Sequence, residues 1–237
     1  MAPPARRAPP ALLLDLDGTL LDVEMGPFLD AFFSLAAARF GGPGETRRIA
    51  QAMTDAARLM FGGDGERTLD RIFLDSFAPA VGLAPEEVRT RLDRFHHGEF
   101  ERMRRLVRPV PAARALIDRA LALGIELVLA TNPVFFLDAI LARARWAGLA
   151  DVPFRLVTGA ELMRRSKPHD AYYAQVLAAI GRRPEECLMA GDDPRMDMAA
   201  KRSGIATWLV VREGQVAREA PLADRTGTLE ELTIWLG

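Results

Sequence analysis

Short apolar runs of strand length alternate with helix-length segments through most of this chain, and that alternation restricts the fold more than any other feature. Residues 11–14, 125–130, 186–190 and 205–211 read as strands, with a weaker one at 154–158. Runs this apolar must be covered on both faces, as in parallel sheets whose crossover helices lie on either side. Helical spacing fills the intervals at 112–123, 134–147, 170–180 and 194–203, and 229–236 closes the chain as a short helix. The expected class is α/β with a doubly wound, mostly parallel sheet, whose ligands bind beyond the carboxyl ends of the strands.

One interval breaks this rhythm. Residues 22–106 stay helical throughout, several times the roughly 10–12 residues that a crossover between parallel strands needs. Helices are expected at 27–40, ending at Gly41-Gly42-Pro43, and at 46–61. A third carries Leu69, Ile72, Phe73 and Phe77, and a fourth runs from Pro85 past Phe95 with Gly98 weakening its middle. The domain plan is a disordered leader at 1–10, an α/β core at 11–21 plus 107–237, and an inserted all-helical cap at 22–106. The chain leaves at Leu21-Asp22 and returns through the stiff Arg108-Pro109-Val110-Pro111, so the cap is expected to rock over the strand exits as a lid. Its aromatic residues read as its own core, and Arg102, Arg104 and Arg105 as a solvated face.

Composition narrows the function. A net charge of -1 and a pI near 6.3 offer no case for nucleic acid as the main partner. No apolar run is long enough for a signal sequence or a membrane span. Cys187 is the only cysteine, which rules out an internal disulfide and suits a reducing, cytoplasmic setting. A small-molecule partner fits best, and the oligomeric state is not legible.

The strand exits carry the chemistry. At the first, Asp15-Leu16-Asp17-Gly18-Thr19 places two carboxylates two residues apart, on one side of an extended chain, before a glycine that lets the backbone turn. They read as a nucleophile and an acid/base with a hard cation beside them, or more plainly as a polar turn. The second exit, Thr131-Asn132, offers a hydroxyl and an amide to an anion, or a helix cap. Lys167 stands out because arginine supplies all the other basic residues except Lys201. A compact ammonium neutralises phosphate charge without the planar fork of guanidinium. The last exit, Gly191-Asp192-Asp193-Pro194-Arg195-Met196-Asp197, brings three more acids.

These segments, in this order, resemble the four motifs of the haloacid dehalogenase-like superfamily. The resemblance implies a magnesium-dependent phosphatase for a small phosphorylated metabolite, acting through an aspartyl-phosphate on Asp15. Asp17 is the implied acid/base, and Thr131, Asn132 and Lys167 hold the phosphoryl group. Mg²⁺ is expected on Asp15, the Asp17 backbone carbonyl and Asp192. Asp193 joins directly or through water, and Asp197 orients Lys167 or a metal-bound water. The leaving group is expected to meet Glu24, Met25 and Phe28, with Phe28 in the cap core as the alternative. A sugar-phosphate mutase shares every motif. A haloacid dehalogenase, which needs neither Asp17 nor Asp192, and an idle binding module of the same fold are the other readings.

Overall fold

In the computed structural model, residues 8–42, 44–212 and 221–237 of the chain are described. Residues 1–7 of the expected leader and Pro43 of the expected helix stop lie outside them. Pro10 already belongs to the folded unit, since its carbonyl accepts the Glu126 N–H at 2.9 Å.

The strands are β1 (Ala11–Leu14), β2 (Leu21–Val23), β3 (Val107–Pro109), β4 (Glu126–Leu129), β5 (Leu156–Val157), β6 (Cys187–Gly191), β7 (Ala206–Val210) and β8 (Arg225–Gly227). Six of them form one parallel sheet in the order β5-β4-β1-β6-β7-β8. Every residue of β1 is buried, as expected for an apolar strand covered on both faces. The order reverses at β1, with β4 on one side and β6 on the other, and a crevice opens at such a switch point. Register then sets the level of the exits. Leu14 lies opposite both Leu129 and Ala190. The Asp15 N–H reaches the Ala190 carbonyl at 3.0 Å and the Ala130 N–H reaches Leu14 at 2.8 Å. The residues following β1, β4 and β6 therefore emerge side by side.

The helices of the cap are α1 (Met25–Ala37), α2 (Thr46–Gly62), α3 (Leu69–Val81) and α4 (Pro85–His96). A 3₁₀ helix, Glu99–Leu106, follows, because Gly98 adopts φ -124 and ψ -98 and ends the helix outright. The cap hangs from an antiparallel ribbon of β2 and β3, in which Asp22 faces Arg108. Phe32 sits edge-on to Phe95 and Phe100, at 5.6 and 5.9 Å between centroids, and equally meets Phe135 of the α/β unit at 5.3 Å. The aromatic core thus runs without a break from the cap into the α/β unit. Arg102, Arg104 and Arg105 are exposed.

The α/β unit adds α5 (Pro111–Ala122), α6 (Leu137–Trp146), α7 (Asp170–Ile180) and α8 (Leu229–Leu236). Two expected helices differ in extent. α6 starts at Leu137, later than the expected 134, where the Glu161 carboxylate accepts the Leu137 N–H at 2.9 Å. The helix expected at 194–203 is a capped turn followed by a 3₁₀ helix, Met198–Ser203. There the Asp193 carboxylate accepts the N–H groups of Arg195 and Met196, and such side-chain bonds compete with regular helix. No described helix is long and apolar enough to cross a membrane.

Candidate active site

Asp15 leaves β1 with its carboxylate pointed at an ammonium. Lys167 Nζ lies 2.9 Å from Asp15 Oδ1 and 2.5 Å from Asp197 Oδ1, and all three residues are buried. Lys167 arrives from the loop between β5 and α7, so three distant segments meet on one cation. The two tyrosines of the chain, Tyr172 and Tyr173, are buried beside it at the start of α7. Their hydroxyls donate to the Thr131 carbonyl at 2.9 Å and the Met196 carbonyl at 2.5 Å, which ties the β4 and β6 exits to that helix.

Two glycines allow the carboxylates to come this close. A Cβ on Gly18, which has φ +94, would fall 2.4 Å from Asp192 Oδ2, and one on Gly191 would fall 2.2 Å from Asp197 Oδ2. Both contacts are shorter than side chains tolerate, so the backbone must be bare at each point. Thr19 Oγ1 donates to Asp192 Oδ1 at 3.1 Å and fixes that carboxylate over the first exit.

Carboxylate oxygens of Asp15, Asp192 and Asp197 lie within 4.8 Å of one another. Burial drives the Asp15 pKa up to about 6, against the pull of Lys167 and with a push from Asp192. Asp192 also rises to about 6, from burial and then from Asp197. Asp197 rises to about 7 from burial, with Lys167 opposing and Asp15 adding. Burial works against the Lys167 ammonium, yet Asp15 and Asp197 outweigh it and hold its pKa well above the usual value. Buried like charges at this spacing suit a cation-binding site.

The expected site residues divide in two. Asp15, Asp17, Thr131, Asn132, Lys167, Asp192 and Asp193 all line one cavity of about 570 Å³ between the strand exits and the cap. Asn132 Oδ1 is buried there without a hydrogen-bond partner among the described residues. Asp193 stands apart from the converging trio, because Oδ1 caps the turn after it, and Asp197 occupies the third place. Glu24 and Phe28 do not line the cavity. Glu24 is exposed just before α1, and Phe28 is fully buried, edge-on to Phe100 and Phe135 at 6.3 Å. Phe28 is drawn into the core by its packing on Phe100 and Phe135, and Met25, Leu29, Phe32 and Phe33 of α1 border the chamber.

Arg143 was not singled out from the sequence. It is fully buried on α6, with one guanidinium nitrogen 3.0 Å from Asp17 Oδ2 and the planar group 4.0 Å from the Phe135 ring centroid. The ion pair is not an aligned hydrogen bond, and Asp17 Oδ1 and all three guanidinium nitrogens lack such a partner among the described residues. Burial raises the Asp17 pKa, with Arg143 and then Lys167 opposing. A signal existed: Arg143 follows Ile140 by three residues, on the inward stripe of its helix.

Together these features define a capped α/β hydrolase with a carboxylate centre at the switch point of its sheet. The chain belongs to the haloacid dehalogenase-like hydrolases, whose family model matches residues 9–204. It is 28% identical over 222 residues to phosphoglycolate phosphatase 1 of Pseudomonas aeruginosa, covering 92% of this chain and 76% of that one. A phosphoglycolate phosphatase of Caulobacter vibrioides is 28% identical over 200 residues, covering 84% and 78%. Among solved structures, a HAD phosphatase from Thermococcus onnurineus superposes with a TM-score of 0.59 at 20% identity, covering 96% and 97%. A dehalogenase solved with an intermediate complex gives 0.60 at 15%, covering 97% and 98%. Likeness at these identities speaks for the fold.

Proposed function

We propose that the protein is a phosphatase that hydrolyses a small phosphorylated molecule through an aspartyl-phosphate on Asp15. The observation that carries this reading is the Asp15–Lys167–Asp197 constellation with Asp17 two residues further along the chain, in a cavity that Thr131 and Asn132 also line. An Asp15 oxygen forms the new bond to phosphorus as the ester P–O bond breaks. Asp17, whose pKa burial raises, gives a proton to the departing oxygen and then takes one from the water that cleaves the acyl phosphate. Lys167 neutralises phosphoryl charge, and Thr131 and Asn132 orient the equatorial oxygens. Arg143 holds Asp17 in place from behind.

A divalent cation suits the donor set, since the carboxylates of the buried Asp15 and Asp197 and the more exposed Asp192 converge with oxygen donors of the kind magnesium prefers. Mg²⁺ would be held by Asp15, Asp192 and the Asp17 backbone carbonyl, with Asp197 anchoring Lys167 beside it and Asp193 shaping the turn. Once bound, it supplies charge neutralisation at the phosphoryl group. Residues 22–106 act as the cap over this centre, and the single buried Cys187 accords with a reducing cytoplasm. Asp17 and Asp192 have no task in dehalogenation, which places that chemistry second.

The test is phosphate release from p-nitrophenyl phosphate with and without magnesium. Asp15→Asn is expected to lose at least 10³-fold in kcat, as nucleophile removals do in general. Activity within a few-fold of the native protein would remove Asp15 from the nucleophile's role.

A further inference from the structure

The cap half of the cavity is almost without polar groups. Beyond the carboxylate centre, α1 contributes Met25, Leu29 and Phe33, α2 contributes Met53 and Met60, and the core side adds Phe136. Two polar residues of α2 also border the space, and both are engaged. Thr54 Oγ1 donates to the Ala50 carbonyl at 2.9 Å. Arg58 pairs with Asp55 Oδ1 at 2.8 Å, with side chains 70% and 57% exposed, so its charge stands at the rim and not inside. The polar groups left to greet a substrate, namely Lys167, Thr131 and Asn132, cluster at the phosphoryl end. Asp193, at that same end, would repel a second anionic group.

A carboxylate carried into this chamber would lose its hydration and find no partner for its charge, which is costly. Water there gains little from apolar walls and is readily displaced by an apolar group. A volume of about 570 Å³ is within the range of pockets that enclose a drug-sized molecule, and a two-carbon acid would leave most of it to solvent. We infer that the substrate is a phosphate monoester of a bulky apolar alcohol or phenol, seated with its hydrocarbon among the α1 and α2 side chains and its phosphoryl group on Asp15 and Lys167. The inference rests on the phosphatase reading. The net reaction is ester plus water to alcohol plus inorganic phosphate, with the alcohol oxygen protonated as the P–O bond breaks.

The test is a set of kcat/KM values with magnesium present for straight-chain alkyl phosphates from two to eight carbons, for 1-naphthyl phosphate and for phosphoglycolate. About a fourfold rise per added methylene is expected, as is a preference for naphthyl phosphate over phosphoglycolate of at least a hundredfold. Leu29→Gln and Met25→Gln, at half-buried positions, are expected to flatten the chain-length series, with thermal melts as the check on folding. A flat series in the native protein, or phosphoglycolate turned over best, overturns the apolar substrate and leaves the phosphatase standing. Phosphate release from none of these esters overturns the phosphatase reading itself.

Discussion

Arg143 is the residue whose burial most needs explanation. A guanidinium with no solvent exposure is retained in a protein interior only beside an anion, and Asp17 supplies it at 3.0 Å. Stacking over Phe135 desolvates the pair further and fixes the plane of the cation. Replacing it by methionine removes the counter-charge and leaves Asp17 buried alone. Arg143→Met is expected to destabilise the protein by about 3 kcal/mol, and Asp17→Asn with Arg143→Met together by clearly less than the sum of the two. Denaturant melts of the double-mutant cycle measure this, and simple additivity would mean that the two residues do not interact. Gly191 shows the opposite economy of matter, since what it contributes is the absent Cβ that lets Asp197 reach Lys167.

Among the elements, the loop between β5 and α7 connects cap and centre. Two linkers alone would leave the cap free to rock, yet this loop is also hydrogen-bonded into it. Arg165 donates to the carbonyls of Gly62, Gly63 and Asp64, at 2.9 Å for Gly62 and 3.0 Å for Asp64. Ser166 Oγ donates to the Phe61 carbonyl at 3.2 Å, and the N–H of Leu69 reaches Met163 at 2.9 Å. Lys167 follows directly, so the segment that clasps the cap also delivers the ammonium. Arg165→Ala removes bonds each contributing roughly 1 kcal/mol, or more for a charged donor. Hydrogen exchange at residues 61–70 is expected to speed at least tenfold, with β1 and β6 unchanged. Equal exchange in both proteins would mean that the clasp does not hold the cap.

For the whole molecule, the acidic centre ties stability to pH and to metal. Asp15, Asp192 and Asp197 titrate at about 6, 6 and 7 when folded, against an ordinary 3.8. Between those values the folded chain holds more protons than the unfolded one, so stability of the metal-free protein falls as pH rises through the window. A divalent cation binds the carboxylate form, and its stabilisation grows over the same range. The gain in Tm from added magnesium is therefore expected to be larger at pH 8 than at pH 5, and chelation should reverse it. A gain independent of pH would place the cation elsewhere.

Local pattern alone determined much of this protein. The apolar runs of β1, β4 and β6 demanded burial on both faces, and the helical insertion was too long for a crossover. Acidic, hydroxyl and ammonium groups at the strand exits followed, because a parallel sheet places its exits together. Helix starts and stops were legible where proline or glycine acts on its own neighbours, as at Pro85. Contacts between segments far apart in sequence were not. Asp197, and not Asp193, completes the acidic trio because the Asp193 side chain is drawn to two backbone amides of its own turn. Phe28 belongs to the core and Leu29 to the chamber because the tertiary packing sets how α1 is rotated, which its sequence spacing leaves open. The charge on Arg143 reads as surface until Asp17 is brought beneath it, and only the folded chain does that.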